Sequence, residues 1–78
     1  MAMSGGVSAA QANRIARRYI GGNAYVVRNE GIHQGMYRIH VHRSGVARHV
    51  FVGARTGRVI KTRIINRSAD RREDVPRR

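Results

Sequence analysis

The chain has no cysteine and no tryptophan, and it is poor in acidic residues. Without cysteine there is no disulfide, no thiolate metal site and no cysteine nucleophile, and the redox compartment is left open. With one Phe and three Tyr, few large side chains are available to line a deep pocket. No apolar run approaches the ~20 residues that a membrane-spanning helix needs. Nor does any segment join a basic start, an apolar stretch and a small-residue cleavage site in the manner of a secretory signal. The opening Met1-Ala2-Met3-Ser4-Gly5-Gly6 fits a native start and a start left by signal removal equally well.

The scarcity of acids makes the chain strongly basic: 4 Asp+Glu stand against 16 Lys+Arg, a net charge of +12, and Lys61 is the single lysine. Up to residue 66, eleven basic residues against Glu30 alone leave +10; beyond it, five arginines against Asp70, Glu73 and Asp74 leave +2. The excess therefore belongs to the folded part. Such a field draws polyanions, anionic membranes or acidic protein surfaces without choosing among them. Catalysis finds little to work with. General acid–base chemistry needs tuned groups brought together in a dry pocket, and the acids here are dispersed. Ser8, Ser44 and Ser68 fall at a cap, a turn and the tail, and no glycine-rich loop has a phosphate-cradling spacing. The expectation is a protein that is not an enzyme and carries no cofactor.

What is present reads as one domain. A domain of this size buries only about 60% of its unfolded surface, so the core is thin. Residues 1–7 are expected to be flexible, 8–65 folded, and 66–78 a disordered charged tail. Ser8-Ala9-Ala10-Gln11 forms a capping box. Ala12, Ile15, Ala16 and Tyr19 follow on one helical face, with Asn13, Arg14, Arg17 and Arg18 on the other, and Gly21-Gly22 ends the helix. Ala24–Asn29 reads as a strand and Glu30–Gly35 as a polar loop. Met36–Arg43 alternates, with Tyr37, Ile39 and Val41 opposed to Arg38, His40 and His42. Ser44-Gly45 is a two-residue hairpin signal, and Val46–Gly53 alternates again. About that turn Tyr37 faces Val52, Ile39 faces Val50, Val41 faces Arg48, and His40 faces His49; a slip of one residue would mix the two faces. Ala54-Arg55-Thr56-Gly57 is a second turn, and Arg58–Ile65 a last strand with Ile60 and Ile64 inward. The fold class is α+β: one N-terminal helix packed on a three- to four-stranded antiparallel meander.

The order of these features resembles the PepSY domain. The residues that carry the likeness are Ala12, Ile15, Ala16, Gly21 and Gly22 of the helix, Tyr37, Ile39 and Val41 of the central strand, Val50 and Val52 of the next, and Ala54, Thr56, Gly57 and Val59 of the turn that follows. They span roughly residues 8 to 61. The chain departs from the family at Gly53, where an Asp usually precedes the turn, and in its strong positive charge. The resemblance implies an exported domain, periplasmic or extracellular, found in propeptides of thermolysin-like metallopeptidases and as small stand-alone proteins. Restraint of a peptidase is the role proposed for the family, and no catalytic residue comes with it.

Binding candidates lie on the sheet face away from the helix: Arg38, His40, His42, Arg43, His49 and Phe51. Opposite strand positions bring side chains about 4.5–5.5 Å apart, which would let His40, His42 and His49 share a metal weakly or act together as a pH switch. Cations beside a ring also suit nucleic acid, although no nucleic-acid motif is present. Against both stands a plain solvated sheet face. The exposed edge of the last strand can accept an extended peptide by strand addition, or is simply guarded by Arg58, Lys61 and Arg63. A protein partner, a peptidase among the possibilities, is thus the leading expectation, with nucleic acid and weak metal binding as alternatives, and the chain is expected to be a monomer.

Overall fold

A computed structural model describes residues 6–66; the charged tail and most of the glycine-rich start expected to be flexible lie outside the described residues. Helix α1 (Ala9–Ile20) is followed by β1 (Tyr25–His33), β2 (Met36–Arg43), β3 (Val46–Gly53) and β4 (Val59–Asn66), which form one antiparallel sheet in sequence order. No described helix is long and apolar enough to cross a membrane.

Both arms of the capping box form. The Gln11 amide donates to Ser8 Oγ at 3.1 Å, and the Ser8 amide donates to Gln11 Oε1 at 2.8 Å. These bonds satisfy donors that have no partner within the helix. At the other end Gly21 takes φ 76°, and its amide returns to the Arg17 carbonyl. Ala12 and Ala16 are fully buried, and their small side chains let the helix sit close to Ile39, Val41, Val50 and Val52, which are also fully buried. The helical face is rotated from the one expected. Tyr19 is 61% exposed, and Ile20 packs on the core instead. Asn13, expected in solvent, accepts from Asn29 Nδ2 at 2.9 Å. A polar pair fits there because Asn29 occupies an inward position of β1, opposite Ile39.

The Glu30–Gly35 loop does not exist as such: β1 runs on to His33, and only Gln34-Gly35 turn. Gln34 (φ 55°) and Gly35 (φ 78°), like Ser44 (φ 51°) and Gly45 (φ 78°), both take the left-handed region. That is the hairpin geometry whose twist matches the flanking strands. Acidic and glycine residues suggested a loop, but register shifts around Val27 and around Glu30-Gly31 absorb them as bulges. The β2–β3 register is the one read from the sequence, from Met36 opposite Gly53 to Arg43 opposite Val46.

The β3–β4 turn closes with the Gly57 amide donating to Gly53 and the Gly53 amide to Arg58. β4 begins one residue later than expected and reaches Asn66. Its inward residue is Val59, opposite Val52 and packed on the core. Ile60 is 54% exposed at a register shift, and Ile64, although on the helix side opposite Arg48, is 45% exposed. The N-terminal segment is tied down as well. The Val7 amide donates to the Ala54 carbonyl at 2.8 Å, its carbonyl accepts from the Tyr37 hydroxyl at 2.7 Å, and its side chain packs on the core.

Candidate functional site

Alternation of β2 and β3 sends Arg38, His40, His42, His49 and Phe51 to the face away from the helix, and β1 adds Tyr25 and Arg28 opposite His42 and His40. Glu30, read in the sequence as a loop acid, joins them. Its carboxylate accepts from Arg38 Nε at 2.7 Å and lies 3.5 Å from Arg28 Nε and 3.4 Å from His49 Nε2. Three basic side chains thus gather on the single acid among the described residues. The bulge that brings Glu30 onto this face is what the sequence did not announce.

Partial burial raises the Glu30 carboxyl, but the Arg38 hydrogen bond and the His49 charge and hydrogen bond outweigh it, so Glu30 titrates below its ordinary value. His40 also titrates below its ordinary value. Desolvation, then the charges of His42, His49 and Arg28, depress its pKa against the opposing pull of Glu30.

The three imidazoles come together, with ring centroids 4.8 Å apart for His40–His42 and 5.7 Å for His40–His49. Their nitrogens are engaged in two separate sets. Tyr25 Oη and His42 Nδ1 are 3.2 Å apart, and His42 Nε2 and His40 Nε2 are 3.1 Å apart, while His49 pairs with Glu30. His40 Nδ1 is buried with no hydrogen-bond partner among the described residues, which favours the uncharged ring. No group of three or more His, Asp or Glu among the described residues is placed to hold a metal ion.

Of the residues read as part of this face, Arg43 serves elsewhere and Phe51 is covered. Arg43 reaches the helix, its Nη1 donating to the Ile20 carbonyl at 2.7 Å, where a cation suits the negative end of the helix. Phe51 is only 7% exposed. Lys61 Nζ lies 5.0 Å above its ring and His49 packs against it edge-on, so the ring is not open for a base to stack on. A shallow groove along α1, lined by Val7, Gln11, Arg14, Ile15 and Arg18, offers no acid–base pair.

The β4 edge presents different material. Seven of its eight residues are exposed, among them Ile60, Ile64 and Ile65, the last at 47%. None of the family models, curated proteins or solved structures compared with the chain matches it.

Proposed function

We propose that this chain is a non-catalytic binding module that acts by contact with another protein, in the manner of a PepSY-like domain, and that restraint of a peptidase is the form the contact takes. The observation that carries the reading is the β4 edge, where exposed isoleucines stand on a strand paired on one side only. Lys61 and Arg63 guard this edge by charge, but the isoleucines beside them remain uncovered, and exposed apolar surface of this kind marks contact sites. The helix is followed by a meander, the order the resemblance implies, and an exported location is proposed from that resemblance alone. The histidine face supports it indirectly: its half-buried groups are tied to one another on a sheet face, whereas acid–base catalysis calls for groups positioned on a reacting atom. Nucleic acid is the weaker reading, because Phe51 is covered and Arg28 and Arg38 share Glu30.

Titrating the ¹⁵N-labelled chain with a thermolysin-type metallopeptidase tests the reading. Amide shifts together with slowed cleavage of a reporter peptide are expected. An unchanged spectrum and unchanged cleavage at equimolar enzyme overturn it.

A further inference from the structure

From Lys61 to Ile64 the β4 ladder is regular, between the two register shifts in its pairing with β3. Lys61 stands opposite Phe51 and Arg63 opposite His49, so both cations lie on the outer face; Thr62, opposite Val50, and Ile64, opposite Arg48, lie on the helix face. Among the described residues neither Arg63 nor Lys61 has an ion-pair partner, and the Lys61 ammonium lies over the Phe51 ring. The other edge of the sheet also exposes apolar side chains, Tyr25, Val27 and Ile32, but differs in its charge and in where its pairing shifts. β1 is bent by two register shifts, and its basic neighbours are drawn to Glu30. An edge with a regular four-residue run and uncompensated cations on one side thus contrasts with an edge whose neighbouring cations are compensated on the other.

We infer that this edge takes up one added strand of a partner protein in which acidic residues alternate with β-branched apolar ones, the acids beside Lys61 and Arg63 and the apolar residues beside Thr62 and Ile64. The inference rests on the protein-contact reading and names the chemistry of the contact. In an added strand, residues directly opposite share a face and come within about 5 Å at Cβ. Acids of the added strand then pair with the two cations, while its apolar residues extend the helix-side core over Ile64. Charge argues against a second copy as the occupant. Pairing two β4 strands about Thr62 sets Lys61 against Arg63, and pairing them about Arg63 sets that residue against itself, between chains each carrying +12. A nucleic acid would use the cations but not the edge amides or Ile64.

The test uses the full ¹⁵N-labelled chain with a short peptide of alternating Glu and Val, a block peptide of the same composition, and an oligonucleotide. The alternating peptide is expected to shift the amides of Lys61–Ile64 and to bind about tenfold tighter than the block peptide, the sum of several cross-strand pairs. Methylating alternate amide nitrogens of the peptide abolishes binding in one phase and spares it in the other, since only one phase faces the edge. In the double variant Lys61→Glu, Arg63→Glu, preference passes to an alternating Lys-Val peptide. Equal binding of the two Glu-Val peptides overturns the inference, as does tighter binding of the oligonucleotide at the same amides. If the peptidase moves amides away from β4 while the alternating peptide moves none, the inference falls and protein contact stands; if neither moves any amide, both fall.

Discussion

Glu30 shows how one residue can organise a surface. Among the described residues it is the only acid within reach of Arg28, Arg38 and His49, so Glu30→Gln leaves three basic groups facing one another. Because Glu30 raises the pKa of His40, the variant should depress that pKa further, as a ring-proton NMR titration would show, and should lose up to about 1 kcal/mol in urea denaturation, the scale of a partly exposed pair. The pH dependence follows. A histidine held below its ordinary value binds fewer protons folded than unfolded, so stability falls as pH drops below about 6.5. The lowered carboxyl of Glu30 acts in the same direction at lower pH, its contribution lost as pH falls through the folded value. The groups facing His40 are Tyr25, Arg28 and Glu30 from β1, Arg38 and His42 from β2, His49 from β3 and Arg63 from β4. Melting temperature is expected to decline between about pH 7.5 and 5.5, and His40→Asn should flatten that decline. Gly57 is a different kind of key residue. It holds φ +74°, and an added Cβ would lie 3.4 Å from both Ile15 and Val7. Gly57→Ala should cost about 1–2 kcal/mol, the penalty of the left-handed region, measured by thermal denaturation.

At the scale of elements, the helix boundaries and the central hairpin were legible because several independent signals agreed. Ser8 and Gln11 mark the start, Gly21 the stop, and the two-residue turn at Ser44-Gly45 leaves one register that keeps Ile39 and Val50 on the same side. Ser8→Ala removes the acceptor for the Gln11 amide, and a loss of about 0.5–2 kcal/mol is expected in chemical denaturation. What stayed illegible lay at bulges and at rotations smaller than one helical position. Periodicity cannot see that β1 absorbs extra residues and turns Glu30 outward, nor that Asn13 finds Asn29. Arg43 and Phe51 are different cases, since the expectation that set Arg43 on the outer face ran against the alternation itself. Strand parity alone puts Arg43 on the helix side, and Phe51 is flanked by His49 and capped by Lys61 from the neighbouring strand. In the candidate site, then, the histidines could be placed from alternation, but the carboxylate that engages His49 could not.

Over the whole molecule, a core of alanines and β-branched residues leaves little in reserve. Ile39 is fully buried between the helix and its strand neighbours, and Ile39→Ala should cost about 2–5 kcal/mol, a large share of the 5–15 kcal/mol that small domains possess. A strongly lowered midpoint in urea would show it. The meander carries a last consequence, for the order of events in folding. Every ladder joins strands adjacent in the chain, so each hairpin closes over a short loop and can form early. The clasp of Val7 onto Ala54 and Tyr37 is the far closure, made only once the sheet exists to receive it. Val7→Ala should therefore hasten unfolding while leaving the refolding arm of the chevron almost unmoved, so that the first turn of chain becomes the latch that sets how long the folded state lasts.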